Sequence, residues 1–256
     1  MKLSKISAAL TLSTVLAMNV HANLITNGDF STVTGGITDP TQFGTASGNG
    51  YTASNFITDW TGNDGYEIWY PSTSAATGTE AHSQWGQGSS ANTGKEMLWA
   101  VTTPPSGSGS FVGLDGEQTS GVQSSISQTI GDLTIGQQYT LTFDWGAAQM
   151  QSRTGDTTEH LAVTFGSDTQ DTNTIDNPSG HFTGWQSGTM TFTATAASQT
   201  LTFLSVGTPT GLPPMALLTN VSMVPNTVPE PSVMMLFGAG LLGLTFFTRR
   251  RAIDLL

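Results

Sequence analysis

The sequence predicts an all-β fold, built as an antiparallel sandwich, set between two apolar end segments. Three observations carry this. Apolar and polar residues alternate with period two in stretch after stretch of the middle of the chain, the mark of strands with one buried face. Turn formers separate those stretches, and the 256-residue chain holds 30 glycines and 11 prolines to do so. Outside the ends, no 12-residue window shows the apolar stripe of an amphipathic helix.

In chain order, weaker strands are predicted at Leu24–Thr26, Phe56–Trp60, Tyr66–Tyr70, Met97–Ala100 and Phe111–Leu114. Val122, Ile126 and Ile130 then fall on one parity. Gln137–Trp145 is the clearest strand: Tyr139, Leu141, Phe143 and Trp145 share one face, Thr140, Thr142 and Asp144 the other, which predicts Trp145 in the core. Glu159–Phe165 turns Leu161, Val163 and Phe165 inward and sends Glu159 and His160 to opposite faces. Met190, Phe192 and Ala194 alternate with threonines, and Leu201 and Phe203 do likewise. Last, Leu217, Val221 and Met223 alternate with Leu218, Asn220 and Ser222. Three Gly/Thr/Ser-rich stretches, 31–55, 72–96 and 104–109, are expected to be loops. Roughly nine to eleven short strands without crossover helices mean an antiparallel sandwich or barrel, and a jelly roll is the expected arrangement.

The ends read as addresses. Lys2 and Lys5 precede an apolar stretch from Ile6 to Met18, and Val20-His21-Ala22 offers small residues at a cut. This is a signal peptide, residues 1–22, too short and too Ser/Thr-rich to span a membrane comfortably. At the other end, residues 226–256, Pro229-Glu230-Pro231 precedes an uncharged apolar run. That run predicts a transmembrane helix over about 233–248, and Arg249, Arg250 and Arg251 after it hold its far end in the cytoplasm. The prolines keep the approach extended, so the helix begins after them.

Pro229-Glu230-Pro231, the short apolar helix and the arginine cluster together resemble the PEP-CTERM sorting signal. The resemblance implies recognition by an exosortase after export, cutting near the motif, and loss of the helix. It covers the tail alone. The body, 23–225, resembles the galactose-binding-like jelly rolls. The resemblance rests on Asn23-Leu24-Ile25-Thr26-Asn27-Gly28-Asp29-Phe30 at the start and Ile57-Thr58-Asp59-Trp60 as a tryptophan strand. Phe111-Val112-Gly113-Leu114-Asp115-Gly116 and the closing strand 216–223 add to it. Relatives with this fold bind carbohydrate, and many such domains ahead of a sorting tail have no assigned activity.

Composition excludes several functions. There is no cysteine, so disulfides, thiolate metal sites and cysteine nucleophiles are absent. In the body only Lys95 and Arg153 face sixteen acids, a net charge near −14. Such a surface repels phosphate backbones, so nucleic acid is not a partner.

Three chemistries have candidate residues. The jelly-roll resemblance implies a structural calcium tying the first strand to the last, here with Asp29 and Asn220. Ser31 follows Phe30 where the family has an acid, and Asn220 replaces the family's Asp; otherwise no cofactor is expected. Sugar binding needs ring faces with amides and carboxylates beside them, and Trp69, Tyr70, Trp85 and Glu67 are the candidates, with Tyr51, Trp185, Asp64, Gln84 and Gln87 nearby in sequence. Each ring has core packing as its plain alternative. Hydrolysis needs two carboxylates at a set separation, and no pair stands out. There is no G-x-S-x-G or H-E-x-x-H, and His82, His160 and His181 are scattered.

The sequence therefore predicts an exported, non-catalytic protein with a structural or adhesive role in exopolysaccharide. It is held at the inner membrane as an intermediate and then passes to the cell envelope or extracellular matrix. Its expected partners are the export machinery, the exosortase, the membrane through the tail helix, and extracellular polysaccharide. A specific carbohydrate-binding module is the first alternative, and a polysaccharide-modifying hydrolase the second.

Overall fold

A computed structural model describes residues 22–44, 55–63, 65–77, 97–105, 107, 109–151 and 153–226. The signal segment, the sorting tail, Trp85, Tyr51, Asp64 and Lys95 lie outside the described residues. Among the described residues no helix is long and apolar enough to cross a membrane, and 233–248 is not among them. One compact unit spans Ala22–Asn226.

The elements are β1 (Thr41–Phe43), β2 (Thr61–Gly62), β3 (Glu67–Tyr70), the single turn α1 (Thr73–Ala76), β4 (Phe111–Asp115), β5 (Ser125–Ile130) and β6 (Gln138–Gln149). They continue with β7 (Thr157–Phe165), β8 (Asp168–Asp171), β9 (Ile175–Asn177), β10 (Gln186–Thr193), β11 (Gln199–Thr208) and β12 (Pro214–Pro225). One sheet runs β1-β3-β4-β12-β6-β10; the other runs β2-β5-β11-β7-β8, with β9 also paired to β7. Within them, β4-β12-β6-β10 facing β5-β11-β7-β8 is the strand order of a jelly roll.

The alternation seen in the sequence is what fills the sandwich. Tyr139, Leu141, Phe143 and Trp145 of β6 meet Leu161, Val163 and Phe165 of β7, with Phe192, Leu201 and Phe203, in one cluster between the sheets. Phe143 and Phe203 touch edge to face across it, ring centroids 5.1 Å apart, a geometry aromatic pairs favour.

A second cluster lies on the outer face of the first sheet. Ile68, Tyr70, Phe111, Met215 and Leu217 are covered there by Leu98, Val101 and Phe182, with half-buried Trp185 packed alongside. This layer explains why Tyr66–Tyr70 lacks alternation. All four residues of β3 are buried, Glu67, Trp69 toward the main core and Ile68, Tyr70 toward the second cluster. A strand buried on both faces reads as a continuous apolar run.

Several expectations need correction. Leu24–Thr26 is no strand: Leu24 makes one backbone bond to Met223, while the Asn23 side chain accepts from Met223 N and Ile25 N. Phe56–Trp60 holds only a bridge at Ile57 before a turn with Asp59 at φ 65°. Met97–Ala100 likewise holds a single bridge, Leu98 to Met150. Short strands escape the sequence reading at β1, inside an expected loop, and at β8 and β9, whose residues are mostly polar.

The closing strand also departs from simple parity. Leu218 points into the main core and Leu217 out to the second cluster, yet Val221 and Met223 point in. The register shifts between Thr219 and Ser222, and Asn220 sits there at φ 53°. A bulge inserts one residue and so swaps the faces.

Candidate functional site

Among the described residues, the rings and acid expected for an aromatic site are buried. Trp69 is 3% exposed, and Tyr70 and Glu67 are fully buried. The Trp69 indole N–H donates to Phe30 O over 2.8 Å, and the Tyr70 ring stacks on Phe111 at 5.0 Å. Trp185 donates to Thr102 O over 2.7 Å and packs on Phe111 and Phe182. The strand that carries these rings has cover on both faces, so they build the core instead of a sugar platform. Trp85 lies outside the described residues.

What the fold offers instead is a polar groove at the β2 edge. It encloses about 600 Å³ between the segment 55–61 and the outer face of β5. Its lining includes Thr26, Asn55, Thr58, Asp59, Ser127 and Thr129, and Asp59 is its one charged residue. The floor is fixed from below. Gln128 donates to Thr26 O and Asp59 O and accepts from Thr26 N. Trp60 donates to Thr26 O and Asn27 O at 3.2 and 3.0 Å. The pattern Ile57–Trp60 thus supplies a tryptophan, as the jelly-roll resemblance implies, but from a turn.

Running out of this groove is a row of hydroxyls. Register pairs Thr61 with Ser127, Ser127 with Thr202, Thr202 with Thr164, and Thr164 with Thr169. One rung of Ser and Thr therefore crosses the whole sheet β2-β5-β11-β7-β8, on its solvent side. The hydroxyls of Thr164 and Thr169 lie 2.8 Å apart. Strand spacing sets the repeat along the row at about 4.8 Å. Single threonines in the sequence carried no sign of this, because the row exists only through strand register.

A second cleft, of about 300 Å³, opens where edge strand β8 of one sheet faces edge strand β10 of the other. Gln170, Asp171 and Asn173 line one wall, Gln186 and Thr189 the other, and Trp145 the floor.

The two residues expected for calcium do come together. Asn220 Oδ1 occupies the space a Cβ on Gly107 would need, and Asp29 Cβ lies 3.4 Å from that same point. Asp29 Oδ1 already accepts from the Ser31 hydroxyl at 2.9 Å, and Asn220 Nδ2 donates to Asp144 Oδ2 at 2.8 Å. Calcium takes about six to eight oxygens. Among the described residues no three His, Asp or Glu side chains gather.

Two buried acids have displaced pKa values. Burial pushes the Asp115 carboxyl up to about 7, against the Glu117 backbone N–H that favours its charge. Burial likewise pushes Glu159 up to about 8. Both are fully buried, and neither lines either cleft. Asp115 lies on the outer face of its sheet beside Met215, whereas Glu159 shares the inward face of β7 with Leu161.

Residues 227–251 match the PEP-CTERM protein-sorting motif. No curated protein matches the sequence. Among solved structures, the sandwich is similar to a CBM4 protein, at TM-score 0.34 and 16% identity over 79% of this chain and 99% of that one. It is also similar to an arabinose-bound MgGH51 α-L-arabinofuranosidase, at TM-score 0.42 and 10% identity over 81% of this chain and 27% of that one. The enzymatically active domain of bacteriophage CBA120 tailspike protein 4 gives TM-score 0.36 and 13% identity over 80% of this chain. This chain spans only 21% of that tailspike.

Proposed function

We propose that this is an exported, non-catalytic protein that an exosortase sorts to the cell surface, where the sandwich adheres to extracellular polysaccharide. The sorting motif at 227–251 supports the address. The observation that carries the adhesive role is the groove at the β2 edge. It presents hydroxyls and amides with one acidic residue, Asp59. Such convergent polar groups in a concave site pair with sugar hydroxyls. A body net charge near −14 disfavours anionic polymers and leaves neutral polysaccharide as the better match.

The non-catalytic part of the proposal starts from the described lining of the two clefts. Each cleft is lined by one carboxylate, Asp59 or Asp171, whereas glycoside hydrolysis requires two flanking the bond. The acids with raised pKa are sealed inside.

The test uses beads coated with extracellular polysaccharide extracted from the cells that make the protein. The full chain is retained on them, and Thr129→Trp, which fills the groove from an exposed position, lowers retention at least tenfold. Unchanged retention of the variant removes the groove from the binding surface, and a wild-type chain that is not retained sinks the adhesive reading. In parallel, the mass of protein recovered from cells with and without the exosortase reports processing; an intact chain through Leu256 in both rules it out.

A further inference from the structure

The cleft between β8 and β10 has no part in the groove at the β2 edge. Its position follows from the topology: β8 ends one sheet and β10 ends the other, so their edges face each other across the open side of the sandwich. Two features shape the gap. Gln170 Nε2 donates to Thr191 O over 2.8 Å, which ties the two edges together. Three residues back, Gly188 presents no side chain on the inward rung between Gln186 and Met190. A Cβ there would run into the Phe143 ring. The space reaches in as far as Trp145, at the margin of the main core.

The walls include amide side chains, Gln170, Asn173 and Gln186, while Thr189 and Asp171 stand on the outward rungs of their strands at the rim. At about 300 Å³ the cleft matches the lower bound for small-molecule pockets and suits a short sugar segment. We infer that the β8–β10 cleft is a second polysaccharide site, so that one molecule bridges two polysaccharide chains. The inference rests on the adhesive reading above. The two sites sit at the opposite edges of the sheet β2-β5-β11-β7-β8, four strand steps apart, or about 19 Å at the usual strand spacing. A single short segment cannot occupy both at that distance. The protein then acts as a cross-link in the matrix, not only a coat on it.

The experiment mixes beads of two colours, both coated with the extracted polysaccharide, with the full chain and counts two-coloured aggregates. The wild type forms them. Asn173→Trp fills the second cleft from an exposed position, so it cuts the aggregates at least tenfold while retention on single beads stays within about threefold. Gln186→Ala, which removes a wall amide without adding bulk, lowers them in the same direction. Aggregates at wild-type levels with both variants overturn the inference, and they point to bridging by association of copies. A wild-type chain that is not retained on single beads sinks the adhesive reading itself, which is a different result.

Discussion

Thr157 donates its hydroxyl to Glu159 Oε1 over 2.5 Å, joining two residues on the inward face of β7. The other carboxyl oxygen, Oε2, has no hydrogen-bond partner, and the buried side chains of Asn177 and Ser205 also have polar atoms without one. All lie toward one end of the sandwich, since Asn177 pairs with Thr157 and Gly207 with Glu159. Loss of solvent is the largest influence on Glu159; the Thr157 bond opposes it and the charge of Asp176 adds to it.

Stability should therefore fall as pH rises. The folded pKa of Glu159 is raised to about 8 and that of Asp115 to about 7. Each carboxyl holds its proton in the folded state at pH values where the unfolded chain has lost it. Their favourable contribution is complete below about pH 4, the unfolded carboxylate range, and is lost as pH climbs through about 7 to 8. Thermal unfolding between pH 5 and 9 should show a falling Tm. Glu159→Gln should flatten that slope and raise Tm at pH 9. An equal slope in the variant would show that Glu159 is charged when folded.

Trp69 and Tyr70 act through packing. Replacing either by Ala empties a fully enclosed site and costs about 3–5 kcal/mol. Tm should drop steeply for both. Any loss of polysaccharide retention should track the unfolded fraction, as measured by circular dichroism on the same samples. Normal Tm with lost retention would place the rings in a binding surface.

At Asn220 the backbone at φ 53° is the constraint. Asn220→Val forces a β-branched residue into the left-handed region and also removes the bond to Asp144. Asn220→Gly removes only the bond. The valine variant should be less stable than the glycine variant by about 1–2 kcal/mol in urea unfolding. Equal stabilities would mean that the bulge relaxes.

Trp60→Phe keeps a ring against Phe30, whose centroid lies 5.1 Å away, but loses the indole N–H. The carbonyls of Thr26 and Asn27 lose that donor, at a cost of about 1–2 kcal/mol. The groove floor loosens with them, so retention on polysaccharide beads should weaken together with the Tm. A lower Tm with retention intact would separate the floor from the binding surface.

Local pattern made much of this protein legible. Alternation at Tyr139–Trp145, Glu159–Phe165 and Met190–Ala194 identified strands and their inward faces, because in a sheet the side-chain period is a property of the backbone alone. It also put Glu159 on the parity of Leu161, which is where the structure finds it. The sorting motif was legible for a related reason, since charge and apolar length act there without a fold.

Other features depended on which strands become neighbours. The second cluster buries the outer faces of Ile68, Tyr70 and Leu217, and no periodicity within those segments reports a layer packed from outside. The bulge at Asn220 needed the β6 register to reveal it. The row Thr61-Ser127-Thr202-Thr164-Thr169 draws on five separate strands, and the β8–β10 cleft on the edges of two sheets. The sequence by itself determined the long alternating strands, their buried sides, the acidity and the sorting motif. Tertiary structure alone decided where polar groups from distant segments meet, because pairing register and sheet order are set by the packing of the whole core.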